Sequence, residues 1–87
     1  MKKIEFYGNK NIIFKRMRDA RTKAGLSQSD LAARLQTMDV NIDQQMISKI
    51  ETNCRQVTDF ELACICKCLD VSPEWLLGDC ERFFTDT

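Results

Sequence analysis

Two adjacent glutamines, Gln44 and Gln45, stand near the start of the segment IDQQMISKIETN at residues 42–53. A glutamine amide both donates and accepts hydrogen bonds, so one side chain can bond to N6 and N7 of adenine in the major groove of DNA. Lys49 follows Gln45 by one helical turn and would share its face in a helix. These residue types favour contacts to nucleic acid, although the same composition is also typical of a solvated helix surface.

The five cysteines are the second group with recognisable chemistry, and three of them crowd into the segment CICKC. In a helix Cys64 and Cys68 share one side while Cys66 points away among apolar residues, so the three cannot converge on one ion. A tetrahedral zinc site would also need Cys54 and Cys80, and their spacing matches no zinc knuckle. We therefore expect no metal site and no cofactor. Small, partly buried hydrophobes are the preferred interpretation, and a thiol-based sensor using Cys64, Cys68 or Cys80 stays open.

Histidine is absent from the chain. Its absence removes the commonest general base and metal ligand, and with it any Ser-His or Cys-His nucleophile. We therefore expect that the protein is not an enzyme.

The charges are distributed unevenly along a chain whose formal net charge is zero. Residues 1–34 carry nine Lys and Arg against three Asp and Glu, whereas residues 35–87 carry four against ten. A basic first half can face phosphate even in a neutral chain, although solvated helix faces would produce a milder form of the same asymmetry.

Membrane insertion and export are not indicated. No apolar run approaches the roughly 20 residues needed to span a bilayer, and the start MKKIEFYGNKN lacks the apolar stretch of a signal peptide. We expect a soluble, cytoplasmic protein with no membrane partner.

The elements that position these residues are five short helices, so the predicted fold class is all-α. The first helix is predicted from Asn11 to Ala24 and the third after Asp43, while Gly25 and Asn53 suit the left-handed positions that end the first and third. Residues 1–10 are predicted to form an N-terminal arm, residues 11–78 one domain and residues 79–87 a C-terminal tail. The later helices are opened by capping residues or a first-turn proline: Ser27 with Asp30, Asp43, Thr58 with Glu61, and Ser72 with Pro73.

In this order, the segments GLSQSDLAARL, ISKIE and LDVSPEWLLG resemble the phage-repressor and Cro type of helix-turn-helix domain, also named for the xenobiotic-response-element regulators. The resemblance covers residues 12–78. It implies a compact, five-helix, lambda-repressor-like domain whose second and third helices form the helix-turn-helix, with the third helix in the DNA major groove.

The resemblance also implies roles for particular side chains. Gln44, Gln45, Ser48 and Lys49 would face the bases or the adjacent backbone, and Gln28 matches the position that donates to a phosphate. Additional phosphate contacts are expected from Arg55, with Arg16 and Arg18 as further candidates.

Arg21 and Glu51 match a structural ion pair between the first and third helices of this family. One departure from the family is the segment from Leu35 to Ile47, which is several residues longer than the usual turn. Either the second helix is extended or the turn bulges, and the extra residues would bring Asp39 near the DNA.

The sequence thus predicts a sequence-specific, DNA-binding transcriptional regulator that acts as a repressor of bacterial or prophage type by occupying an operator. Its partner would be double-stranded DNA, bound by a homodimer because one recognition helix reads only a few base pairs. Two alternatives stay open: an antitoxin-like component that binds a partner protein through its tail, and a protein-interaction module that retains the fold. The dimer surface is expected near the fifth helix and the tail, at Trp75, Leu76, Phe83 and Phe84.

Overall fold

The computed structural model describes residues 6–78, and five helices surround one apolar core in this range. The described residues contain no strand beyond an isolated bridge between Phe6 and Asn9. The predicted all-α, five-helix fold is therefore confirmed. The helices are α1 (Phe14–Lys23), α2 (Gln28–Gln36), α3 (Gln44–Glu51), α4 (Asp59–Leu69) and α5 (Pro73–Leu76).

The predicted N-terminal caps of α2 to α5 are all present. At α2 the Ser27 hydroxyl accepts from the backbone N–H of Asp30 at 3.0 Å, and the Asp30 carboxylate accepts from the backbone N–H of Ser27 at 2.9 Å. Thr58 and Glu61 form the same reciprocal pair at α4. Such caps satisfy backbone donors that have no partner within the helix. The side chains of Asp43 and Ser72 cap α3 and α5.

The first helix begins later than the sequence predicts, at Phe14 instead of Asn11. The side chain of Asn11 explains the difference. Its amide nitrogen donates to the carbonyls of Ile50 and Arg55, and its oxygen accepts from the backbone N–H of Ile13. These bonds hold the chain before Phe14 against the end of α3 instead of in a helical turn.

The first four helices end in the same way, with a left-handed residue and two backbone hydrogen bonds. At the end of α3, for example, the N–H of Asn53 bonds to the carbonyl of Ile50 and that of Cys54 to the carbonyl of Lys49. This pattern is the Schellman motif, which satisfies the last carbonyls of a helix. The left-handed residues are Gly25 (φ 74°), Asp39 (φ 62°), Asn53 (φ 63°) and Asp70 (φ 56°).

The long connection between α2 and α3, residues 37–43, is a packed turn and not an extension of α2. Asp39 reverses the chain after α2, and Val40 bonds through its N–H to the carbonyl of Leu35. Val40 and Ile42 are both buried, so two apolar anchors hold the turn on the core. The added residues therefore lengthen the turn while α3 stays packed against α2.

The core lies between α3 and the surrounding helices. α3 packs against α1 and α2, α4 packs against α2, and α5 packs against α4. Among residues 6–78, no helix has the length and apolar content needed to cross a bilayer. The large side chains that are fully buried are Met17, Leu31, Leu35, Ile42, Ile47, Ile50, Ile65 and Leu76.

Candidate nucleic-acid interface

Helix α3 has one apolar face and one polar face. Ile47 and Ile50 are fully buried, whereas Gln44, Gln45 and Lys49 are exposed. The buried pair holds the helix on the core and leaves its N-terminal turn and polar face open to solvent. This is the arrangement of a helix that can enter a groove of DNA while its scaffold stays behind it.

The exposed residues of α3 lie in two rows, each one helical turn long. Gln44 and Ser48 form one row and Gln45 and Lys49 the other, and Ser48 is half-buried between the polar face and the core. Amides at the start of the helix can reach base edges, and the Lys49 ammonium can meet either a base or a phosphate. The structure thus brings these four predicted residues onto one surface.

Gln28, the first residue of α2, is half-buried and belongs to a polar network with the buried Arg21 and Glu51. Its amide nitrogen donates to Oε1 of Glu51 at 3.1 Å. Glu51 in turn accepts from Nε and Nη2 of Arg21, and Nη1 of Arg21 donates to the carbonyl of Leu26 at 2.8 Å. The network joins the end of α1, the start of α2 and the end of α3. An amide nitrogen has two hydrogens, so Gln28 keeps one donor for a phosphate oxygen.

The charges of this network compensate each other. Arg21 and Glu51 are both buried, and they form an ion pair in which Nε of Arg21 lies 2.7 Å from Oε2 of Glu51. The hydrogen bond from Glu51 raises the pKa of Arg21 above its ordinary value, against the opposing effect of burial. Within the described part of the chain, no buried side-chain nitrogen or oxygen lacks a hydrogen-bond partner.

Arg55 lies in the loop after α3 and pairs with the capping residue of α4. Its Nη1 and Nη2 lie 3.0 and 3.1 Å from the two carboxylate oxygens of Glu61, and Nη1 also donates to the carbonyl of Gln56. The Arg55 guanidinium is the main cause that lowers the pKa of Glu61, with burial acting in the opposite direction. The structure therefore gives Arg55 a role in joining α3 to α4, beside the phosphate contact expected from the sequence.

A contact that the sequence analysis missed joins the N-terminal segment to the end of α3. The Asn53 oxygen accepts from the backbone N–H groups of Lys10 and Asn11, and its amide nitrogen donates to Oδ1 of Asn9 at 2.7 Å. The side-chain amide of Asn11 also donates to the carbonyls of Ile50 and Arg55, at the end of α3 and just after it. The asparagines in GNKN were the available signal, because their short amides often bond to nearby backbone.

The residues predicted for a dimer surface differ in their exposure to solvent. Leu76 is fully buried in the core, whereas Trp75 is 40% exposed. The Arg16 guanidinium lies 4.9 Å from the centre of the Trp75 ring and donates to the Trp75 carbonyl, so Arg16 packs on α5. Phe83 and Phe84 lie outside the described residues. Phe60 on α4 is 62% exposed and is an apolar surface residue that the sequence analysis did not single out.

The cysteines of CICKC are arranged on α4 as the helical spacing predicts. Cys66 is buried in the core, and Cys64 and Cys68 are half-buried on another side. Among residues 6–78, no three His, Cys, Asp or Glu side chains are grouped to hold a metal ion.

Comparison with known proteins agrees with this geometry. A family model described as helix-turn-helix matches residues 17–76. The wild-type restriction-modification controller protein C.Esp1396I has a similar structure, with a TM-score of 0.67 and 28% identity over 95% of this chain and 99% of that protein. The C.Esp1396I tetramer in complex with its natural 35 base-pair operator gives a TM-score of 0.66 and 28% identity over 94% of this chain and 99% of that one. No curated protein sequence matches the chain.

Proposed function

This chain belongs to the Cro/C1-type helix-turn-helix family of DNA-binding transcriptional regulators, and we propose that it represses transcription by occupying a specific operator. The observation that carries the proposal is the exposed polar face of α3. Gln44, Gln45 and Lys49 are exposed there on a helix whose opposite face is buried.

The side chains divide into base-reading and backbone-binding groups. We assign Gln44 and Gln45 to base edges, because they stand at the N-terminal end of the recognition helix and their amides match adenine. Lys49 and Ser48 follow on the same surface. Gln28 is assigned to a phosphate through its second amide hydrogen, since its first is bonded to Glu51.

Arg55 can contact a phosphate from within its pair with Glu61 or after that pair opens. The pair neutralises most of its charge locally, so its contribution should be smaller than that of Lys49. The position of Arg55 just after α3 is what supports the assignment.

We further propose that the protein acts as a homodimer in the cytoplasm, where it meets its operator. The similar controller protein C.Esp1396I binds its operator as a tetramer. One α3 reads only a few base pairs, so two copies on inverted half-sites would supply both affinity and specificity. Trp75 supplies exposed apolar surface for the contact on α5, and Phe83 and Phe84 are the proposed contribution of the tail.

A second candidate function is a protein-interaction or antitoxin-like role on the same fold. The zero formal net charge and the excess of Asp and Glu in residues 35–87 favour it, because a surface that binds DNA is usually basic.

Selection of bound sites from random double-stranded DNA tests the proposed function. We expect enrichment of one inverted repeat, followed by tight binding to that site and much weaker binding to a scrambled duplex of equal length and composition. Equal binding to both duplexes would contradict operator recognition. Loss of binding to every duplex would favour the protein-interaction role.

A further inference from the structure

A sulfur contact joins α4 to the turn that precedes α3, and the proposed function does not use it. The Sγ of Cys68 lies 3.6 Å from the Sδ of Met38, which belongs to the turn 37–43. Cys64 precedes Cys68 by one turn on the same side of α4, and all three side chains are half-buried. A thiol and a thioether are therefore in contact, a second thiol lies one helical turn away on the same side of α4, and all three side chains are partly shielded from water.

The arrangement does not suit a disulfide. Cβ atoms one helical turn apart are separated by about 5–6 Å, whereas a disulfide needs about 3.5–4.5 Å. Joining Cys64 to Cys68 would therefore require α4 to unwind at its centre. The thiols can still act together on a ligand that bridges a longer gap.

A soft metal ion is such a ligand. A structural zinc site needs four ligands, which are thiolate, imidazole or carboxylate groups. Two thiols and one thioether do not supply them. Cu(I) selects thiolate and thioether sulfur. With metal–sulfur bonds of about 2.3 Å, three sulfurs around a trigonal ion lie roughly 4 Å apart, close to the Cys68–Met38 distance.

An arginine lies near the Cys68 thiol. Burial and, to a smaller extent, Cys64 raise the pKa of this thiol, whereas Arg34 on α2 lowers it, which places a positive charge near this sulfur. A bound ion with two thiolates would carry one negative charge, and Arg34 is placed to compensate it.

We propose that Cys64, Cys68 and Met38 form a binding site for Cu(I). The two thiols lose their protons to solvent as two thiolate bonds to the ion form, Met38 supplies the third sulfur, and no atom changes its oxidation state. The site is independent of the proposed DNA-binding function, since none of the three residues is assigned to DNA. It does connect α4 to the turn that leads into α3.

The experiment uses the full chain with Cys54 and Cys80 both replaced by serine. Cys54 is exposed, Cys80 lies outside the described residues, and either thiol would bind a soft metal without a built site. Cys66 stays, because it is buried in the core. Cu(I) is titrated into the reduced protein without oxygen, in competition with the coloured chelator bicinchoninate, and thermal unfolding is followed with and without Cu(I).

We expect one equivalent of Cu(I) to be withheld from bicinchoninate, with a rise in melting temperature and sulfur-only coordination in X-ray absorption. Cys68→Ser in this background should weaken binding beyond the roughly 10–100-fold typical of a lost outer-shell contact. Met38→Leu keeps the apolar volume and should weaken binding less. The proposal would be overturned if bicinchoninate removed all Cu(I) from the variant that lacks Cys54 and Cys80. It would also be overturned if adding Cys64→Ser or Cys68→Ser to that variant left its affinity for Cu(I) unchanged.

Discussion

Arg21 and Glu51, thirty residues apart in the chain, form a bidentate ion pair in which Nε lies 2.7 Å from Oε2 and Nη2 lies 2.9 Å from Oε1. The Glu51 side chain is only 3% exposed. The other hydrogen-bond partner of Glu51 is Gln28, which is neutral and could not balance the charge of Arg21 if Glu51 were replaced. A substitution at Glu51 would therefore leave a guanidinium buried without a counter-charge.

We expect Glu51→Ala to lower the free energy of unfolding by about 3–5 kcal/mol, because removing one partner of a buried pair leaves the other uncompensated. Urea titration followed by circular dichroism measures the change. Lys49→Ala, on the exposed face of the same helix, is the control and should change stability little. Equal stability of the two variants would show that the pair does not stabilise the fold.

Gln44→Ala and Gln45→Ala should each leave the fold intact and weaken binding to the selected operator by about 1–3 kcal/mol if the amide makes a bidentate base contact. Gln28→Ala should weaken binding to operator and scrambled DNA alike, because a phosphate contact carries no sequence information. Fluorescence anisotropy on both duplexes separates the two effects. Wild-type operator affinity in both recognition-helix variants would refute the assignment of α3.

The Arg55–Glu61 pair should make stability sensitive to acid. The folded-state pKa of Glu61 lies below its ordinary value near 4.5, chiefly because of Arg55. Its stabilising contribution is therefore complete well above that value and is lost as the pH falls through the lower, folded-state pKa. Glu61→Gln should be less stable than wild type at pH 7, and the difference should shrink toward pH 3. Glu74→Gln, at an exposed position of α5, is the control. A stability difference between Glu61→Gln and wild type that stayed constant from pH 7 to pH 3 would contradict the prediction.

The three non-glycine residues that end α2, α3 and α4 should respond differently to glycine. Asp39→Gly and Asp70→Gly should raise stability by roughly 0.5–1 kcal/mol, because relief of left-handed strain exceeds the added backbone entropy. Loss of an acidic charge from a helix C-terminus acts in the same direction. Asn53→Gly should lower stability although its φ is similar, since its amide holds Lys10, Asn11 and Asn9. Thermal melts would contradict this account if all three changes had the same sign.

Assembly on DNA should follow the symmetry of a twofold dimer. We expect two copies on one selected site, with half-sites about 34–36 Å apart so that both α3 helices enter successive major grooves. Trp75→Ala should weaken self-association, and Ala33→Ser, at an exposed position of α2, should not. Sedimentation and footprinting decide the matter: a single copy protecting one asymmetric half-site at saturation would refute the dimer.

Local chemistry made much of this fold predictable. Ser27 with Asp30 and Thr58 with Glu61 bond within three residues of sequence, so the spacing alone located these helix starts. The Gln28–Glu51 bond was not predictable in this way, because it joins residues far apart and depends on how α2 and α3 pack.

The limits of sequence reasoning are clearest at Asn11 and Asp39. The apolar spacing from Ile13 onward suggested a helix from Asn11, but bonds to Ile50 and Arg55 hold Asn11 outside the helix. Asp39 ends α2 in a left-handed conformation where glycine is the usual signal. The longer turn was therefore visible in the sequence, whereas its shape was not.

The contact between Asn53 and the N-terminal segment also constrains the order in which the chain folds. The bonds made by Asn9, Lys10 and Asn11 close loops of 39 to 44 residues, so docking of this segment carries a large loop-closure entropy. Its acceptors are in place only after α3 and its final turn have formed. Residues 9–11 therefore join late in folding and detach first in local unfolding, and the amide protons of Lys10 and Asn11 should exchange with solvent before those of α3.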